Sequence, residues 1–243
     1  MAHTWTLESI IHTLQQTEQK GFISADGNVE YRVDDGVVGQ VLEREFGVTE
    51  NNLHIADLNG EDGENYELKT ARKRKGTNRL TLFHQKPTSG MTVREIFEEF
   101  GYIKKSSRSD VMKKKLFTTI KGDRENNRGF RLVPETDNII HLYNKDRYLC
   151  TWNMDFKKLR NVILTFAETQ GSINSKEEAF HYVESYLLSD LRSMKDAILN
   201  GYVVLDFSVD KSLEDGKMHD RGPHLRINVK KLNKLFNKVE QIL

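Results

Sequence analysis

Glu67 and Lys69 stand two positions apart in the stretch ENYELKT, and Arg72, Lys73, Arg74 and Lys75 follow directly. A β-strand alternates sides, so in a strand Glu67 and Lys69 share one face while Leu68 points to the other. Metal-dependent phosphodiester hydrolysis needs carboxylates to hold Mg2+ and a cation beside the attacking water or the scissile phosphate. Glu67 and Lys69 supply one of each, and a second carboxylate must come from a neighbouring segment. Asp57 offers it, because it closes LHIAD and the turn over residues 59–63 can fold it back against Glu67. Asp62 is the alternative, nearer in sequence but inside the turn. A strand end holds a ligand more firmly than a turn tip, which favours Asp57. Glu43, on the preceding helical segment, is a further carboxylate for the same centre.

A second polar group lies near the C-terminus. MHDRGPHLRIN packs His219, Asp220, Arg221, His224 and Arg226 into a short loop and strand start. Arginine pairs with guanine O6 and N7, and aspartate accepts from cytosine N4, so this set suits G·C edges in a major groove. Asp206 is polar within the apolar strand YVVLDFSV and can join them, as can His84 after LTLF. The basic run 69–75, with Arg72 and Lys73 at its centre, and the run 104–115 suit phosphates, which set affinity but not sequence preference.

The charge distribution agrees. The net charge of +1 hides 14 acidic and 3 basic residues in 1–68, against 6 acidic and 18 basic in 69–131. A basic middle beside an acidic start is the footprint of a polyanion partner next to a cation site. The single cysteine excludes an internal disulfide framework and a cysteine zinc site. No apolar run approaches the roughly 20 residues of a membrane span and no secretory leader is visible, so the cytoplasm is the expected compartment.

The elements that must position these residues are mixed. Thr6 caps a helix carrying Leu7, Ile10, Ile11 and Leu14, and a second helix spans 36–46. A short hairpin or irregular stretch surrounds Asp26 and Gly27. LHIADLNGEDGENYELKT reads as two strands around a turn, RLTLFHQ as a strand, and VREIFEEFG as a helix capped by Thr92. Residues 116–152 carry four strands, a short helix falls at 156–160, and VILTFA is a strand. A long helix is predicted over 176–200, then the strands YVVLDFSV and HLRINV around a polar loop, then a terminal helix through Leu232, Leu235 and Val239. The class is α/β in two lobes. His12, His54, His141 and His181 lack ligand spacing, and Trp5 and Trp152 suit packing.

The order DGVVGQVLEREFG, IAD, YELKT, LTLFHQKPT resembles the MutH and MvaI/BcnI group of PD-(D/E)xK endonucleases, and LTLFHQKPT with HDRGPHLRINVKKL is closer to the MvaI/BcnI restriction enzymes. The longer turn NGEDGEN departs from that pattern and leaves both Asp57 and Asp62 open. The resemblance implies a restriction-endonuclease-like core, a central mixed sheet flanked by helices. It implies a mainly catalytic lobe over 1–110 and a mainly DNA-recognition lobe over 111–243. It further implies a monomeric type II enzyme that nicks double-stranded DNA one strand at a time with Mg2+, alongside a cognate DNA methyltransferase. Asp57, Glu67 and the Leu68 carbonyl would hold the metal, Lys69 would serve the attacking water, and Glu43 would support them. A repair nickase of the MutH kind, or a silent DNA-binding module, are the alternatives.

Overall fold

Thr6 opens the first helix through reciprocal bonds: its hydroxyl accepts from the Ser9 N–H, and the Ser9 hydroxyl accepts from the Thr6 N–H. The computed structural model describes residues 4–25, 36–48, 56–73, 79–106, 111–175 and 177–243. The turn expected at Asp26 and Gly27, His54, and Arg74 and Lys75 of the basic run lie outside the described residues. The order is α1 (Leu7–Gln19), β1 (Ile23–Ser24), α2 (Val37–Glu45), β2 (Glu67–Arg72), β3 (Arg79–His84), β4 (Ser89–Gly90) and α3 (Val93–Phe100). There follow β5 (Tyr102–Lys105), β6 (Met112–Ile120), β7 (Phe130–Pro134), β8 (Ile139–Asn144), β9 (Arg147–Asn153) and β10 (Asn161–Gln170). β11 (Ala179–Leu191), α4 (Met194–Leu199), β12 (Val203–Ser212), β13 (Met218–Asn228) and β14 (Phe236–Gln241) complete it.

The chain forms two compact units that interleave in sequence. The first comprises Met1–Leu80, Phe156–Leu191 and Phe236–Leu243; the second comprises Thr81–Asp155 and Arg192–Leu235. The expected division near residue 110 does not coincide with these boundaries. Strands β10, β11 and β14 return to the first unit because they complete its sheet.

In the first unit the sheet order is β1-β11-β10-β2, with β14 also on β11. β10 and β2 are parallel and the remaining pairs antiparallel. α1 and α2 bury Ile10, Leu14, Val37, Val38, Val41 and Leu42 in one core with Leu68, Ile163, Phe180 and Tyr182 of the sheet. Helical spacing places those apolar residues on single faces. Among the described residues β2 is an edge strand of this sheet, with the Leu68 N–H on its outer row donating to Asp57.

The second unit holds a sheet of order β3-β13-β12-β6-β5 and a smaller one of order β4-β9-β8-β7. Thr92 caps α3 in a second reciprocal box with Glu95. Trp152 is fully buried and its indole N–H donates to the Gln85 carbonyl at 2.9 Å, as its packing role requires.

Two helices expected from the sequence are replaced by strands. Residues 179–191 form β11, paired to β10 from Asn161↔Ser189 to Gln170↔Ala179, and only Met194–Leu199 is helical. Phe180, Tyr182 and Leu188 are fully buried, and the sheet partner outweighs the local helix preference. The terminal helix is a 3-10 turn over Val229–Lys234 followed by β14, in which Phe236 is the buried residue. The polar loop before HLRINV is shorter than expected, because β12 and β13 extend to Ser212 and Met218.

Candidate active site

Glu67 opens β2 and is buried, while its neighbour Leu68 packs into the core beneath α2. Alternation puts Glu67 and Lys69 together on the opposite face. Asp57 reaches them from the side of β2 away from β10. Leu58 and Tyr66 exchange two backbone hydrogen bonds of 3.0 and 2.9 Å, which fold the chain back as the sequence suggested. The turn between them is tight: Gly60 has the Glu64 carbonyl oxygen 1.5 Å from where a Cβ would stand, so no side chain fits there. Asp57 Oδ2 then accepts from the Leu68 N–H at 2.8 Å. Within a strand one residue's N–H and C=O face the same side, so the Leu68 carbonyl also points to the Asp57 edge. Asp62 lies in the 3-10 turn Glu61–Gly63, and its side chain is outside what is described.

Glu67 Oε1 takes the Lys69 ammonium at 2.5 Å and the Lys158 ammonium at 3.2 Å. Glu67 Oε2 is buried without a hydrogen-bond partner. Burial, and then the charge of Glu67, hold the Asp57 carboxyl above its usual range; the Leu68 N–H, Lys69 and Lys158 oppose this. Two neighbouring carboxylates, one with an unused buried oxygen, form a setting that a hard cation relieves. Among the described residues no group of three or more His, Cys, Asp or Glu side chains is gathered for a metal. Two carboxylates with a backbone carbonyl suit Mg2+, which keeps several waters.

The second unit builds a separate polar row on its five-stranded sheet. Asp206 lies opposite Thr119 of β6 and His224 of β13. Its Oδ1 accepts from the Thr119 hydroxyl at 2.5 Å, and its Oδ2 meets Arg226 Nη1 at 3.4 Å. Arg226 Nε donates to Thr81 Oγ1 at 3.1 Å. The guanidinium is therefore fixed by two neighbours. The rings of His84 and His224 stack with centroids 4.8 Å apart. Gly222, at φ +69°, lies against His84, where a Cβ would meet Nε2 at 2.0 Å. His219, Asp220 and Arg221 are exposed, and Asp220 Oδ1 accepts from the Gly222 N–H at 2.7 Å.

Burial pushes His224 down to about 4, aided by the charges of Arg226 and His84, while Asp206 opposes; burial also lowers His84, with Asp220 opposing and Lys86 adding to the fall. Both imidazoles must charge on unfolding near pH 6, where the free side chain titrates. The unfolded state thus binds more protons between about pH 6.5 and 4, and stability falls as pH drops through that window. Urea midpoints at pH 7 and pH 4.5 should show this loss, and His224→Phe should flatten it. An unchanged slope in that variant would refute the assignment.

The family model of the MvaI/BcnI restriction endonucleases matches residues 11–236. The chain belongs to that family. Among solved structures it is similar to restriction endonuclease MvaI in complex with its cognate DNA substrate, with TM-score 0.74, 21% identity and full coverage of both chains. MvaI in the absence of DNA is matched with TM-score 0.47 and 19% identity, again over both full chains. No curated protein matches the chain. As a member of the MvaI/BcnI family the protein is a site-specific deoxyribonuclease with the MvaI fold.

Within this MvaI/BcnI-family chain three sequence expectations take a different form. Arg72 is not a surface phosphate ligand. It is buried, with Nε at 2.7 Å from Glu178 Oε1, Nη2 at 3.0 Å from Glu178 Oε2, and the guanidinium 5.5 Å over Phe180. Lys73 remains half-exposed, 3.5 Å from Glu184. Glu43 does come to β2, but on the Thr70 side: Thr70 Oγ1 and Glu43 Oε1 lie 3.4 and 3.7 Å from one point above Gly39. Alternation sets that face against the one carrying Glu67 and Lys69. In the second basic run, Lys113 pairs with Asp210 and Lys114 with Glu98, each at 2.6 Å. Sequence reasoning missed Lys158, Thr81 and Thr119. Their signal is the strand register, which no local pattern carries.

Proposed function

We propose that this enzyme hydrolyses double-stranded DNA at a specific short site with Mg2+, cutting one strand at a time as a monomer. The observation that carries the reading is the convergence of Asp57 and Glu67, one with an unused buried oxygen, beside Lys69. Asp57, Glu67 and the Leu68 carbonyl are the groups that would hold the metal. Bound Mg2+ supplies Lewis acidity and a water of lowered pKa. Lys69 orients the attacking water and opposes the negative charge that builds on the phosphate. The water oxygen bonds to phosphorus and gives up a proton to solvent, the P–O3′ bond breaks, and the leaving oxygen takes a proton from solvent. A 5′-phosphate and a 3′-hydroxyl result.

The row of Arg226, Asp206 and His224, with His84, is suited to base edges, and His219, Asp220 and Arg221 extend it. Arg226, held by Asp206 and Thr81, has the rigidity that a guanine contact needs. The similar MvaI structure contains cognate DNA, which supports DNA as the ligand. A cognate methyltransferase would protect the host's own sites.

Supercoiled plasmid incubated with Mg2+ or with EDTA tests the whole reading. The expected result is a nicked intermediate, then discrete fragments with one set of ends, and no product in EDTA. Absence of cutting with Mg2+, or a smear of random ends, would overturn it.

A further inference from the structure

Strand β6 carries two unlike faces. Leu116 and Ile120 turn into the core of the second unit, and alternation sends Lys113, Lys115, Phe117 and Thr119 to the other side. The register with β12 sets Thr119 opposite Asp206, Phe117 opposite Ser208, Lys115 opposite Asp210 and Lys113 opposite Ser212. Directly opposed residues share a face, so Phe117 stands on the same surface as Asp206 and its partner Arg226. Phe117 is 42% exposed. The other exposed large apolar residues among the described residues of this sheet, Ile103 and Met112, fall on the alternate face. Ser208 is too small to cover the ring, and the register of β12 with β13 shifts beside it, between Phe207 and Val209. Along β6 the surface passes from the hydroxyl that serves Asp206, through an uncovered ring, to Lys115 and Lys113, with Lys104 opposite Lys113.

We propose that Phe117 reads DNA sequence by packing its ring against the 5-methyl group of a thymine in the major groove. The proposal rests on the reading above, in which this face meets the base edges. Thymine is the base whose major-groove edge carries an apolar group, and a phenyl ring is among the side chains that suit it. Two strand residues, about 7 Å, separate Phe117 from Thr119, and that is about two base steps at 3.4 Å each. The ring therefore reaches a base pair close to the one that Arg226 would contact. Lys115, Lys113 and Lys104 lie farther along, where a strand crossing the groove meets phosphates. A phenyl ring left in water costs free energy that burial against a methyl group removes. The hydrogen-bonding groups of Asp206, Arg226 and His224 offer no such contact.

A ring that only supports Lys115, whose ammonium lies 5.9 Å from its centroid, is the competing explanation. That role would help phosphate binding without regard to sequence, and deoxyuridine separates the two. Once plasmid cleavage has mapped the site, each thymine in and beside it is replaced, one at a time, by deoxyuridine, which lacks only the methyl group. Binding without Mg2+ and single-turnover cleavage with it are measured for wild type, Phe117→Ala and Phe117→Leu. At one thymine the uridine duplex should bind wild type about fourfold more weakly, the scale of one buried methyl group. Phe117→Ala should bind the thymine and uridine duplexes alike at that position, and Phe117→Leu should keep part of the difference. A wild type indifferent to every replacement overturns the proposal. So does a Phe117→Ala variant that keeps the full uridine penalty, even if it binds all duplexes more weakly. If no discrete cleavage site appears, the nuclease reading falls and this proposal with it; a discrete site with no uridine penalty sinks this proposal alone. Should Phe117→Ala melt far below wild type, Phe117→Gln carries the same comparisons.

Discussion

Lys69→Ala is expected to bind DNA as wild type does and to cut it slower by about 100- to 1,000-fold, the cost of one preorganised donor to a transition state. Lys69 sits 2.5 Å from Glu67 and is partly open to solvent, so its loss leaves the core of Leu68 and α2 intact. Gel shifts without metal, paired with single-turnover cleavage, separate binding from chemistry. The remaining Lys158 still holds Glu67 Oε1, which keeps that carboxylate from becoming an isolated buried charge. Wild-type cutting by the variant would remove Lys69 from the mechanism. Lost binding together with lost cutting would make it a structural or phosphate-anchoring group instead.

The second large effect is on stability. Glu178→Ala deletes both carboxylate bonds to Arg72 and leaves a guanidinium in a site where Glu178 is fully buried. Breaking a buried pair from one side costs about 3–5 kcal/mol, which for a chain of this size lowers Tm by on the order of 10 °C. Calorimetry or urea unfolding measures it. Arg72→Met with Glu178→Leu should recover most of that loss, because apolar groups of similar size replace buried pairs well. A Glu178→Ala variant as stable as wild type would show that Asn174, which also accepts from Arg72, suffices alone.

Much of the site was legible because it is local. Glu67 and Lys69 needed only the two-residue period of a strand, and Asp57 needed only a short turn, whose Gly60 admits no side chain. Thr6 and Thr92 marked their helix starts by chemistry within three residues. What stayed hidden depends on pairing between distant segments. Lys158 meets Glu67 because β10 aligns with β2 across some ninety residues of chain, and nothing near Lys158 announces it. Arg72 looked like part of a solvated basic run, yet Glu178 on a far turn draws it inside. Residues 176–200 lack glycine and proline before Gly201 and so favoured a helix, until β10 and β14 claimed most of them as a strand. Two lobes were expected, but their interleaving was not, since it follows from which strands close the first sheet.

That interleaving has a consequence for biosynthesis. Asp57 and Glu67 precede Lys158 and the strand that aligns with β2 by roughly ninety residues, and β14 follows the whole of the second unit. Contacts so far apart in sequence form slowly. A nascent chain therefore cannot complete the first unit's sheet until the strands of the second unit have also been made.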